Sequence, residues 1–189
     1  MWRPAAAICL PVPRRREAVG RLYTRAEMLA ERGRWKRESK TVVFTNGCFD
    51  LLHVAHIRVL NQARAQGDLL IIGLNSDASV RLSKGPARPL IPQNERAEML
   101  LALKAVDGVV CFDEETPRDL IAELLPDVLV KSADWSHFVA GREEVEAAGG
   151  RVVILPYEQG YSTTGIIEKI LKQQSSRGGE DATGRPAAR

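Results

Sequence analysis

The stretch Thr41-Val42-Val43-Phe44-Thr45-Asn46-Gly47-Cys48-Phe49-Asp50-Leu51-Leu52-His53-Val54-Ala55-His56 decides the fold. Its apolar, β-branched start reads as a buried strand. From His56 to Arg64 the apolar residues recur at helical spacing. A strand therefore ends, a glycine turn comes next, and a helix begins with His53 and His56 in or near its first turn. The first turn of a helix carries unpaired N–H groups and the positive end of the dipole, so it favours anions. Imidazoles three residues apart lie on one side of that turn. Several donors then converge on one point, as a phosphate needs when it changes partners.

Outward from this stretch, strand and helix patterns alternate. Strands are predicted near Val42–Thr45, Leu69–Leu74, Gly108–Phe112, Asp127–Val130 and Val152–Leu155. Helices are predicted near His53–Ala65, Gln93–Ala102, Pro117–Leu125, Val139–Ala148 and Thr164–Lys172, with an earlier one capped by Thr24 and running to about Lys36. The strands are short and rich in Val, Ile and Leu, as in a parallel sheet covered on both faces. The expected fold is α/β, a Rossmann-like doubly wound parallel sheet in one domain, with ligands beyond the carboxyl ends of the strands. Residues 1–22 read as a flexible arm, 23–173 as the domain, and 174–189 as a polar, disordered tail.

The 189 residues suit a single domain, and 44% apolar content supports a proper core. A net charge of +3 is too mild to imply nucleic acid or a membrane surface. No apolar stretch is long enough to span a membrane. The apolar patch at Ala5–Leu10 is short and is broken off by Pro11 and Pro13, which disfavours a signal peptide. Cys9, Cys48 and Cys111 are odd in number and far apart, which points to free thiols in a reducing compartment. A cytoplasmic location is expected.

The G-x-F-D-x-x-H-x-x-H pattern of Gly47, Phe49, Asp50, His53 and His56 resembles the signature of the cytidylyltransferase-like nucleotidyltransferases. Those enzymes join a nucleoside triphosphate to a phosphorylated small molecule and release pyrophosphate. From about Tyr23 to about Leu171 the chain most resembles the branch that adenylylates D-glycero-β-D-manno-heptose 1-phosphate. The resemblance implies ATP and a sugar phosphate as substrates, with Mg²⁺ arriving through the phosphates and no side-chain metal site. It also implies a homodimer. That branch is often fused to a sugar kinase; here a separate kinase is expected to supply the sugar phosphate.

Under this resemblance His53 and His56 stabilise the α-phosphate during attack, with Lys84 as a further catalytic cation. The alternatives are structural histidines or a metal pair, but a metal would want a third ligand at sensible spacing. Thr45, Asn46, Gly47 and Phe49 are expected at the nucleotide, together with Asn75 and Asp77 of the Asn75-Ser76-Asp77 run. The Gly/Pro-punctuated segment Arg81–Pro89 reads as a lid whose Lys84 and Arg88 clamp the outer phosphates. Arg96 is expected to anchor that loop or reach the phosphates. Asp50, Lys131, Asp134 and Trp135 are expected at the sugar phosphate, the last three matching the strand end that carries K-G-G-D-Y in the family. Ser162 and Thr163, at a helix start, match the S-T-T segment and should contact phosphate. Cys48 reads as a bystander.

Ala55 stands where the family usually has glycine, and Ser132 and Ala133 replace two more. Two other readings stay open, the second of them permitted by these departures. One is a glycerol 3-phosphate or ethanolamine-phosphate cytidylyltransferase, against which Leu155–Gln159 lacks the expected arginine. The other is a nucleotide-binding regulatory module with impaired catalysis.

Overall fold

The computed structural model describes residues 20–133, 138–156 and 160–177, with side chains described up to residue 174. A parallel six-stranded sheet in the order β1-β4-β3-β2-β5-β6 forms its centre. The strands are β1 (Arg21–Tyr23), β2 (Val42–Gly47), β3 (Leu69–Asn75), β4 (Gly108–Phe112), β5 (Val128–Ser132) and β6 (Arg151–Leu155). The helices are α1 (Arg25–Arg37), α2 (Val54–Arg64), α3 (Asp77–Lys84), α4 (Gln93–Leu101), α5 (Arg118–Leu124), α6 (Arg142–Ala147) and α7 (Thr163–Arg177). Strand order runs outward one way from β2 through β3 and β4, and the other way through β5 and β6. The doubly wound expectation therefore holds, and the β2–β5 seam is the point where ligands of such sheets bind.

Successive strand residues point to opposite faces, so each uniformly apolar strand fills two cores. On one face Val43, Leu70, Ile72 and Leu74 pack with Leu60 and Ala63 of α2 and Ala97 and Leu100 of α4. On the other, Val42, Phe44 and Ile71 pack with Met28 and Trp35 of α1, Leu120 and Ile121 of α5 and Val145 of α6. Aspartates fix the register at the opposite edge from the site. Asp68, Asp107 and Asp127 accept from the main-chain N–H of Thr41, Leu70 and Val42, respectively.

Three boundaries differ from expectation. Arg21 and Leu22, placed in the arm, instead pair with Gly108 and Val109 of β4. A strand of three residues has too little pattern of its own to be read. The segment read as a lid begins inside α3, where Ser76 caps the helix by accepting from the N–H of Ser79. The loop proper starts at Gly85, whose φ of +89° ends the helix. Helix α7 runs through Arg177, past the expected tail boundary at 174.

Candidate active site

A cavity of about 510 Å³ opens at the carboxyl ends of the strands. Its floor is Thr45, Asn46 and Gly47 at the end of β2, with Lys131 and Ser132 at the end of β5. Lys131 donates to the Oδ1 of Asn46 and bridges the seam where strand order reverses. The start of α2 supplies His53, Ala55 and His56, and the start of α7 supplies Ser162, Thr163 and Thr164. Lys84, the last residue of α3, and Arg88 line the same space. Two helix starts and two lysines thus face one cavity, an arrangement suited to several negative charges.

The turn after β2 sets the histidines. Its positive φ falls on Phe49, at +47°. A Cβ at Gly47 would stand 3.0 Å from the Phe49 ring, a tight contact that glycine avoids. Phe49, expected at the nucleotide, is largely core-packed and lies against His56 with ring centroids 5.2 Å apart. His53 and His56 stack at 3.8 Å. The main-chain N–H of His53 donates to Nδ1 of His56 at 3.4 Å. A neutral imidazole that accepts at Nδ1 carries its proton on Nε2. Burial first, and the neighbouring His53 second, push His56 down to about 4, and burial also lowers His53. Both rings are therefore neutral donors near pH 7 in the ligand-free protein. Nδ1 of His53 is buried without a hydrogen-bond partner among the described residues.

Other expected site residues make contacts within the protein. Asp50, assigned from the sequence to the sugar phosphate, is 2% exposed. Its Oδ1 accepts from the N–H groups of Leu90 and Ile91, and its Oδ2 pairs with Arg88 Nε at 2.6 Å. Asp50 therefore ties down the 85–92 loop, and Arg88 pairs with it; both residues also line the cavity. Asp77 lies outside the cavity lining and pairs with Arg96 at 2.7 Å. Asn75 does line the cavity, and donates to Ser79 Oγ at 2.9 Å.

Arg96 is fully buried and joins these segments. It donates to the carbonyls of Cys48, Asn75 and Ile91 and to the Asp77 carboxylate. Of its two expected roles, the anchor is the one observed. The Cys48 thiol is pushed up by burial, against the pull of Lys84 and Arg96, so it stays protonated as a bystander should. At the start of α7, Ser162 Oγ accepts from the N–H of Gly165 at 3.0 Å, and Thr163 Oγ1 lies 3.5 Å from the carbonyl of Leu51. Asp134 and Trp135 lie outside the described residues.

The sequence reading missed one wall: Glu115, Thr116 and Pro117 after β4, with Phe138, Ala140 and Tyr161. The rule that ligands sit beyond strand ends could have flagged residues 113–117, since they come directly after β4. Tyr161 stacks towards His53, with centroids 6.4 Å apart.

Residues 44–169 match the cytidylyltransferase-like family. The chain is 58% identical over 137 residues to bifunctional protein HldE of Syntrophotalea carbinolica, covering 72% of this chain and 28% of that protein. It is 59% identical over 138 residues to bifunctional protein HldE of Geobacter sulfurreducens, covering 72% and 28%. With bifunctional protein HldE of Koribacter versatilis it shares 52% over 153 residues, covering 80% and 32%. The chain thus spans only 28–32% of the length of these curated relatives. Among solved structures it resembles a lipopolysaccharide core biosynthesis protein from Thermoplasma volcanium, at a TM-score of 0.53 and 26% identity over 65% of this chain and 99% of that one. A pantoate-beta-alanine ligase from Francisella tularensis, at a TM-score of 0.54 but 11% identity over 75% of this chain and 68% of that one, shares the fold alone.

Proposed function

The chain belongs to the cytidylyltransferase-like family and is a nucleotidyltransferase, and from that premise we propose that it transfers AMP from ATP to a sugar 1-phosphate. The preferred acceptor is D-glycero-β-D-manno-heptose 1-phosphate, and the products are the ADP-sugar and pyrophosphate. The carrying observation is the stacked His53–His56 pair at the start of α2, facing a cavity shared with Lys84, Lys131 and the start of α7. The high identity to the HldE proteins and the likeness to the Thermoplasma protein support this reading.

The chemistry needs no covalent enzyme intermediate. An anionic oxygen of the sugar phosphate bonds to the α-phosphorus as the bond to the bridging oxygen breaks, and pyrophosphate leaves. The attacking oxygen already carries charge, so no general base is required. The protein's task is alignment and stabilisation of charge on the equatorial oxygens. The Nε2–H of His56 and the neighbouring His53 donate there, the start of α7 receives phosphate oxygens, and Lys84 sits by the outer phosphates. Lys131 holds the acceptor's phosphate across the seam.

Among the described residues no three His, Cys, Asp or Glu side chains are grouped to hold a metal. Mg²⁺ would enter on the triphosphate's own oxygens and neutralise charge there. Assembly as a homodimer, supply of the acceptor by a separate kinase and residence in the cytoplasm belong to the same proposal. No helix among the described residues is long and apolar enough to cross a membrane.

The test is pyrophosphate release with ATP or CTP against heptose 1-phosphate, hexose 1-phosphates, glycerol 3-phosphate and ethanolamine phosphate. Turnover with ATP and the heptose 1-phosphate above every other pair supports the proposal. Preference for CTP with glycerol 3-phosphate or ethanolamine phosphate replaces it. No turnover above a His56→Ala control with any pair favours a regulatory module.

A further inference from the structure

The cavity has two unlike sides. The side formed by α2, α3 and α7 carries the histidines, Lys84 and the hydroxyls of Ser162 and Thr163. The other side is built by the loop from β4 into α5 and by residues 138–140 ahead of α6, and has a different chemistry. It carries Glu115, Thr116, Pro117, Phe138 and Ala140.

Phe138 is the informative residue. Its neighbours Val139 and Ala140 are buried, and Val139 packs into the core with α5 and α6. Phe138 is instead 57% exposed and lines both the main cavity and a smaller one of about 230 Å³ beside it. A segment anchored by its next two residues thus turns an apolar ring outward into a ligand cavity. Leaving such a ring in water forfeits burial energy that a bound apolar surface would recover. Glu115, on the same side, is exposed at the end of the β4 loop. Its carboxylate is poorly suited to a triphosphate and well suited to accept from hydroxyl groups. Thr116 adds a hydroxyl that both donates and accepts.

An aromatic ring, a carboxylate and a hydroxyl on one wall suit a polyol ring, which offers an apolar C–H face and a rim of hydroxyls. We propose that Phe138 and Glu115 are specificity-determining residues that read the sugar of the acceptor. Phe138 stacks on its C–H face and Glu115 accepts from its hydroxyls. The wall favours a ring-sized, hydroxyl-rich acceptor over a short polyol phosphate. This inference rests on the proposed sugar 1-phosphate reaction and assigns the residues that choose the sugar.

The test uses the full chain and the variants Phe138→Ala, Phe138→Tyr and Glu115→Gln, each shown folded by its thermal transition. Initial rates are measured with ATP and heptose 1-phosphate. Phe138→Ala should raise the acceptor KM about five- to tenfold, and Glu115→Gln should raise it roughly tenfold. Both should leave the ATP KM within about twofold, and Phe138→Tyr should restore the acceptor KM. Saturation-transfer NMR with the sugar phosphate alone should show transfer to the sugar C–H protons in the wild type and its loss in Phe138→Ala. An unchanged acceptor KM, a rise in the ATP KM instead, or unchanged saturation transfer overturns the inference while leaving the proposed reaction standing. A wild-type enzyme that turns over glycerol 3-phosphate with CTP and neither binds nor uses the sugar phosphate overturns both.

Discussion

His53 and His56 are chained through the backbone as well as stacked: the N–H of His53 donates to Nδ1 of His56 at 3.4 Å, and the rings lie 3.8 Å apart. The bond fixes which nitrogen of His56 carries the proton. His56 therefore presents an N–H from Nε2 without needing a positive charge. Replacing it with alanine removes a donor to developing charge while leaving the start of α2 in place. His56→Ala should lower kcat about a hundredfold or more, equivalent to roughly 3 kcal/mol, with little change in nucleotide affinity. Rate and ATP-binding measurements on one preparation check this; near-normal kcat removes His56 from the mechanism.

The same burial has a consequence for stability. His56 titrates near 6.5 in its ordinary state and about 4 in the fold. Between those values the unfolded chain binds the proton and the folded chain does not, so stability rises with pH across this window. It is complete above the ordinary value, is lost as pH falls towards about 4, and levels off below. The full shift corresponds to roughly 3 kcal/mol. Urea denaturation at about pH 7 and about pH 4.5 should show a loss in the wild type roughly 2–3 kcal/mol larger than in His56→Gln. Equal losses would mean that the ring is not buried as a neutral group.

Arg96 is fully buried, with three carbonyls and the Asp77 carboxylate as partners. Arg96→Met leaves all of them without their donor and the carboxylate without its cation. Loss of one partner from a buried ion pair costs about 3–5 kcal/mol. Asp77 is part-exposed and water can replace it, so Asp77→Asn should cost about 1 kcal/mol. Chemical denaturation of both variants checks the ordering. Equal costs would mean that the carbonyl contacts contribute little.

How much of this could be read beforehand depends on range. The strand–turn–helix around His53 and His56 is local, and its pattern carried both the fold and the central pair. The strands from Leu69, Gly108 and Val128 were equally legible, because an apolar β-branched run has few other uses. What the pattern did not show was long-range. The motif around Asp50 says nothing about Leu90, Ile91 or Arg88, which reach it from a distant loop. Helix α3 was hidden because Gly85 and Pro86 made the whole segment resemble a loop, although Ser76 and Asp77 already spelled a helix start. Phe138 and Glu115 belong to no motif, and only the folded chain brings them to one cavity.

The Asp50 contacts make loop order a measurable quantity. Its Oδ1 accepts the N–H groups of Leu90 and Ile91. Asp50→Ala removes both acceptors and the partner of Arg88 together. Amide exchange at Leu90 and Ile91 should accelerate at least about tenfold relative to strand residues such as Ile71, since a bond to a charged acceptor is worth about 1.5–3 kcal/mol. Asp50→Asn keeps one carbonyl oxygen and should lie between. Exchange at these amides that matches the wild type would show that the loop is held by other contacts.

Lys131 and Asn46 face each other across the seam between β5 and β2. Asn46 belongs to the strand that leads into the histidines, whereas Lys131 belongs to the strand leading towards the loop that bears Phe138. If Lys131 holds the acceptor's phosphate, Lys131→Ala should raise the acceptor KM about ten- to a hundredfold, the cost of one charge-assisted contact. The ATP KM should move little. Asn46→Ala removes one partner of the ammonium and keeps the charge, so its effect on the acceptor KM should have the same sign and be smaller. Initial-rate matrices of ATP against sugar 1-phosphate separate the two constants. The reverse pattern, with ATP affected and the acceptor spared, would place Lys131 at the triphosphate and require the acceptor's phosphate to be held by another cation lining the cavity, Lys84 or Arg88.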